Sequence, residues 1–342
     1  MNLQLYSIRT IIFISSFLFI IPINEAYSPS NQTYDLKIDF YIVMSIPLIF
    51  NAFNLLGTLY IFYRTFLRWK HDYKSISLSY RFPFYIAITD FLYSSALLIN
   101  LSYSASNESK LLRNETITWP SPICEVVGFF MTFFVLLNIL LVGVISFTTW
   151  LRVVKEYYFK FGRFDYKIWL PITLISLVFP LITMHNYGTQ EYWCGTRPHT
   201  IMLIISPVII IITLITIIFC YIQVLQTIRV LKDDNSSVTN SYNNYSAQCI
   251  EIEKKTFKKV LTYILVFIFQ YIPILIYSIL KFLKISNIIL LALTPSVISI
   301  GGIGNVIQYI RNEGLSYTSF SNKKLEEGTD DTISINTLNN SQ

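Results

Sequence analysis

The amino-acid sequence predicts an all-α membrane protein: a seven-transmembrane helix bundle with its N-terminus outside and its C-terminus cytosolic, preceded by a signal peptide. Three observations carry that expectation. Of 342 residues, 53% are hydrophobic, 16% aromatic and only 13% charged, with a mean hydropathy of +0.52, too apolar for a water-soluble globular domain. Seven stretches are long enough, at about 20 residues or more, to cross a bilayer as helices. Lys and Arg are shared unequally between the connections of those stretches. The formal net charge of +6 does not point to nucleic acid, because the basic residues sit between hydrophobic blocks and form no basic face of their own.

The first block, MNLQLYSIRTIIFISSFLFIIPINEA, has Arg9 ahead of a short apolar run, then Pro22 and the small Ala26. That is the layout of a secretory signal peptide over residues 1–26. An uncleaved anchor helix is the alternative, for which the apolar core from Thr10 to Ile21 is short of the ~20 residues a span needs. Residues 27–39 then form an extracellular N-terminus. The seven spans run over about 40–63, 83–104, 126–151, 168–187, 201–228, 260–280 and 285–310. Residues 311–342 read as a disordered cytosolic tail, and VLKDDNSSVTNSYNNYSAQC before the sixth span is similarly polar, with little to bury.

Seven spans place the termini on opposite sides, and the charge count tests which side is which. The three connections predicted to be cytosolic hold sixteen Lys and Arg, against six on the opposite face, in agreement with a signal peptide that leaves the mature N-terminus outside. Asn31, Asn107 and Asn114 lie in N-x-Ser/Thr contexts on the predicted outside and are candidate glycosylation sites. Chance also produces such sequons in an Asn- and Ser-rich chain, as at Asn235, Asn244 and Asn339. Topology sorts the four cysteines. Cys124 and Cys194 face the oxidising compartment, while Cys220 and Cys249 fall at or beyond the cytosolic end of the fifth span. Either Cys124 and Cys194 remain free thiols, or they form a disulfide that pins NYGTQEYWCGTRPHT across the mouth of the bundle.

Within the spans, the informative residues are polar. Asp90, in FYIAITDFLYS, is the acidic residue well inside a span. An unpaired carboxylate at that depth costs about 3 kcal/mol. It must therefore face the bundle interior and find partners, or keep its proton. Partners are available in Asn51 or Asn54 of the first span, Asn138 of the third and Asn305 of the seventh. Such a cluster could hold a cation with water or act as a polar hinge between two packings, with Tyr309 one turn beyond Asn305. Each Asn could equally be structural glue to one neighbouring helix. Pro273, inside FIFQYIPILIY, removes a backbone hydrogen bond and provides a pivot in the sixth span, with Tyr271 and Phe267 on nearby turns.

Taken together these residues resemble the G-protein-coupled receptor superfamily over roughly residues 40–312: seven spans, Cys124 with a cysteine in the second outer loop, Asp90 in the second span, F-x-x-x-Y-x-P at Phe267, Tyr271 and Pro273, and N-x-x-x-Y at Asn305 and Tyr309. Rhodopsin-like receptors carry Trp where Tyr271 stands and N-P-x-x-Y where this chain reads N-V-I-Q-Y. Where their D-R-Y is expected, SFTTWLRVVKEYY places Thr148, Thr149 and Trp150, with Arg152 the nearest arginine. The chain is in this respect similar both to divergent rhodopsin-like receptors and to the cyclic-AMP or glucose-sensing types of fungi and amoebae.

The resemblance implies a receptor in the plasma membrane, multi-pass, that binds an extracellular ligand and activates a heterotrimeric G protein by rearranging the bundle. It implies a ligand pocket under the second outer loop lined by Phe129, Phe133, Trp193, Tyr271 and Tyr277. Arg152, Lys155, Arg229, Lys258 and Lys259 become candidate contacts for the G protein, or anchors to the anionic lipid of the bilayer. Ser316, Thr318, Ser319, Ser321, Thr329 and Thr332 in the tail become phosphorylation sites for a desensitising partner, or belong to a passive tail.

Competing classes fit less well. A small-solute transporter or channel is the alternative, but it would show repeats or several ionisable groups along a pathway. An intramembrane enzyme would need a catalytic constellation, and there is neither H-E-x-x-H nor a second carboxylate to pair with Asp90, while His185 stands near a span end. A retinal protein would need a Schiff-base Lys that 285–310 does not contain. No cofactor and no metal is expected.

Overall fold

The structure is a computed structural model that describes residues 32–71, 78–111, 113, 115, 117–157, 161–162, 165–190, 192–197, 200–236, 266–283 and 287–313. The signal-peptide segment, Asn31, Asn114, Cys249, Lys258, Lys259 and the tail beyond Glu313 lie outside them. Among the described residues the chain forms seven long helices: α1 (Gln32–His71), α2 (Leu78–Ser106), α3 (Ile123–Val154), α4 (Tyr166–Ile182), α5 (Met202–Ser236), α6 (Val266–Phe282) and α7 (Ile288–Glu313). A single helical turn, Glu108–Leu111, follows α2. Between α4 and α5 a 3-10 turn leads into a hairpin of β1 (Tyr187–Thr189) and β2 (Cys194–Thr196), antiparallel with Gly188 opposite Gly195.

Helices suit this sequence because a span in hydrocarbon must satisfy every backbone polar group within itself. The side chains are then sorted inside out. In α1, Asn51, Asn54 and Thr58 are 0% exposed, while Phe53 and Leu56 are 60% and 65% exposed. Apolar groups thus face where lipid would lie, and polar ones face neighbouring helices. Internal prolines occur in α1, α2, α4, α5, α6 and α7. One turn beyond Pro295, the Ser299 hydroxyl donates back to the proline's carbonyl at 3.4 Å.

α1 packs against α2 and α7, and α3 is the central helix, touching α2, α4, α5 and the hairpin. α7 closes the bundle on α2 as well as α1. α6 joins through Gln270, whose amide donates to the Ile298 carbonyl of α7 at 3.2 Å. Close approach is needed at two positions of α7. A Cβ on Gly302 would collide with the Asn54 amide, and one on Gly301 with the Gln270 side chain. GGIG is therefore the seam at which α1 and α6 both reach α7.

Several element ends differ from the sequence expectation. α1 begins at Gln32, eight residues before the expected start of the first span at 40, and α7 continues to Glu313 rather than ending at 310. Helical hydrogen bonding does not stop where hydropathy falls. α4 ends at Ile182, short of 187, where the chain passes through the 3-10 turn Met184–Asn186 and Tyr187 opens the hairpin. Among the described residues, five helices are long and apolar enough to cross a membrane, whereas α4 and the described part of α6 are shorter apolar helices.

Gly302→Ala is expected to destabilise the bundle by about 1–3 kcal/mol through overpacking against Asn54. The same analysis expects Ile307→Ala, at a position 61% exposed, to leave the melting temperature of the detergent-purified protein near that of the wild type.

Candidate functional site

At the centre of the bundle, α2 supplies Asp90, 2% exposed. One carboxylate oxygen accepts from the Asn138 amide of α3 at 2.9 Å, and the other from the Asn305 amide of α7 at 3.3 Å. Asn138 also donates to the Thr89 hydroxyl at 2.9 Å. Its amide oxygen accepts from the Tyr271 hydroxyl of α6 at 3.2 Å. Four helices therefore meet in one connected set of hydrogen bonds. Both amides present N–H donors to the carboxylate, which is what a buried acceptor-only group requires.

A second tier lies one turn along α2. Ser94 accepts the Asn54 amide on its hydroxyl at 2.7 Å and the Asn51 amide on its carbonyl at 2.9 Å. Ser299 of α7 donates to the Asn51 amide oxygen at 3.4 Å. Asn54 thus belongs to the α1–α2–α7 seam and is not a direct partner of Asp90, because Ser94 intercepts its amide. Tyr309, 2% exposed, packs with Ile61, Ala87 and Val306. In α6, the rings of Phe267 and Tyr271 meet at a tilt with centres 4.5 Å apart, and Pro273 follows within the same helix.

The hairpin closes one end of the bundle. Cys124, at the start of α3, forms a disulfide with Cys194 of β2, with Cα atoms 5.3 Å apart, so the bridged alternative holds. Sequence reading missed a second clamp. The Asn100 side chain of α2 accepts from the Cys194 N–H at 2.9 Å and donates to the Cys194 carbonyl at 2.8 Å. Ser104, one turn on, donates to the Tyr192 carbonyl. A polar residue in the last turns of a span is the signal that could have revealed Asn100, but the partner is main chain and leaves no trace in side-chain chemistry. On the opposite side, Lys281 of α6 donates to the Gln190 amide oxygen at 2.7 Å and to the Tyr277 hydroxyl at 3.2 Å. Lys281 thus ties α6 to the connection between β1 and β2.

Of the proposed pocket residues, Phe129 and Tyr271 are buried, and Phe133, Trp193 and Tyr277 are half-buried. Phe129 and Phe133 stack along α3 with centres 6.3 Å apart. All but Tyr271 lie toward the disulfide end. At the far end, Arg152 and Lys155 are exposed, and the Lys155 ammonium lies 5.8 Å from the Trp150 ring centre. Arg229 belongs to α5, with its side chain outside the described residues. Asn107 donates its amide to the Tyr103 carbonyl at 2.9 Å, at the end of α2. Cys220 is buried and free.

Residues 67–300 match the family described as 7 transmembrane receptor (rhodopsin family). No curated protein matches the sequence. The match falls on one of the two receptor types that the motifs resemble.

Asn100→Ala would leave both main-chain groups of Cys194 without their side-chain partner. Burial makes that cost about 2 kcal/mol, read as a lower melting temperature with the disulfide still intact on a non-reducing gel. Ser102→Ala, at an exposed neighbouring position, is expected to change neither.

Proposed function

Because the chain belongs to the rhodopsin family of seven-transmembrane receptors, we propose that it binds an extracellular ligand at the disulfide end and activates a heterotrimeric G protein at the other. Sixteen Lys and Arg against six support placing the disulfide end outside and the C-terminus in the cytosol of a plasma-membrane receptor, with residues 1–26 as its signal peptide. An oxidising compartment for the Cys124–Cys194 bridge supports the same orientation. Asn31, Asn107 and Asn114 are then the glycosylation sites, and the Ser- and Thr-rich tail a docking segment for a desensitising partner.

The observation that carries the reading is the way α6 is held. Tyr271 reaches the Asp90 set through one neutral hydrogen bond to Asn138, a link worth about 1 kcal/mol. Toward the outside the same helix is tied by Lys281 to the hairpin. A ligand seated among Phe129, Phe133, Trp193, Tyr271 and Tyr277 would touch both attachments. Preference for the packing in which the Tyr271 link is broken would let α6 turn about Pro273 and open the cytosolic ends. Arg152, Lys155, Arg229, Lys258 and Lys259 border that face. By linkage, a G protein bound there raises agonist affinity in return. Asp90, Asn138 and Asn305 act here as a polar hinge, since their amide donors already satisfy the carboxylate.

The test is expression with a panel of G-protein biosensors while nutrients, nucleotides and peptides are screened. Agonist-dependent G-protein dissociation is expected, and solute flux without it would establish the transporter alternative. Asp90→Asn and Asn305→Ala are expected to lower the agonist response with surface expression retained. Tyr271→Phe, which removes only the α6 link, should raise basal signalling about fivefold, the factor that ~1 kcal/mol gives.

A further inference from the structure

The end of the bundle away from the disulfide holds a second buried charge that the hinge does not use. Asp165, 2% exposed, stands immediately before the first turn of α4. An aspartate there ordinarily accepts from the free N–H groups of its own helix. This one makes no such cap. Both its oxygens instead lie 3.1 Å from Nη1 of Arg81 at the start of α2, and Oδ2 also accepts from the Tyr85 hydroxyl at 2.6 Å. The backbone at Asp165 is left-handed, with φ 55°, and Gly162 three residues earlier has φ 82°. Tyr85 in turn meets Trp169 of α4 edge-on, with ring centres 5.2 Å apart.

The neighbouring stretch of α3 is built differently. Thr148 and Thr149, where the family motif places an acid and an arginine, donate to the Ile145 carbonyl at 3.0 and 2.8 Å. Trp150 stacks on Phe147 and leans on Phe219 of α5. None of the three carries a charge. Among the described residues, an ionic contact at this end links α2 to the entry of α4.

We infer that Arg81, Asp165 and Tyr85 are positioning residues: a latch that fixes the entry to α4 against α2 and so sets the surface around Phe161, Gly162 and Tyr166 that the G protein meets. The first half of the inference stands on contacts alone; the second rests on the receptor reading above. Removing the charge of Asp165 takes away the ionic contact it makes with the Arg81 guanidinium and loosens α4's first turn. The half-exposed Arg81, with a side chain 39% accessible, moderates the effect.

Hydrogen exchange over residues 161–169 of the purified full chain tests the latch without any G protein. D165N and R81Q are expected to exchange about tenfold faster there than wild type, with the hairpin unchanged and the R81D/D165R swap recovering protection. Y85F, which removes one hydroxyl, gives the readout if the charge variants fail to reach the membrane. Unchanged exchange in every variant overturns the latch. Faster exchange with altered basal signal or G-protein preference supports the whole inference, and faster exchange with signalling like wild type overturns the positioning role. If wild type and variants are silent toward every G protein while exchange still rises, the receptor reading fails, the positioning role falls with it, and the latch stands.

Discussion

Asp90 can be buried at the centre of the bundle because amides from α3 and α7 both reach its carboxylate, and the arrangement of the core follows from that requirement. With water excluded, each oxygen must find a donor on another helix. Asn138 fills the first role, which turns its own amide oxygen toward α6 and the Tyr271 hydroxyl. Asn305 fills the second, which fixes the rotation of α7 and sends its glycine seam toward Asn54 and Gln270. The same polar atoms therefore choose the facing surfaces of four helices. Hydrophobic burial, which is non-directional, could not have done so between helices equally content with lipid.

The two ends of the bundle solve a different problem. Each must hold a connection in place where regular helix ends. At the disulfide end the solution combines a covalent bridge to α3 with hydrogen bonds from α2, so that the hairpin is attached to two helices at once. At the far end the solution is ionic, with a carboxylate at the mouth of α4 bound by a guanidinium and a phenol of α2. Between them, among the described residues, Gln270, Tyr271 and Lys281 join α6 to α7, α3 and the hairpin.

Much of this was legible in the sequence, for reasons that differ by residue. A carboxylate in FYIAITDFLYS is anomalous enough to demand partners, and Asn138 and Asn305 are among the few residues that could supply them. Cys124 and Cys194 announce themselves by chemistry and side. Depth along a helix can be counted and sets Asn54 near Asp90, but which neighbour takes its amide depends on helix rotation, and that neighbour is Ser94. The Asn100 clamp was hidden because it grips main-chain atoms. Arg81 and Asp165 were hidden because both lie in connections, where a basic excess reads as orientation and no periodicity shows which two residues meet. Helix ends ran past the apolar windows because backbone hydrogen bonding continues through the Lys-, Arg- and Trp-bearing turns that hydropathy discounts.

The clamp on Cys194 has an evolutionary corollary. Asn100 grips a peptide N–H and a carbonyl, groups common to nearly every amino acid, and Ser104 likewise grips the carbonyl of Tyr192. Side chains elsewhere along the loop, Trp193 and Gln190 among them, are not what these two residues of α2 hold. Substitutions there can remodel the entrance while that anchorage stays intact. A scaffold fastened in this way allows descendants to acquire new chemical tastes by changing the loop's side chains, with no need to reinvent its fastening.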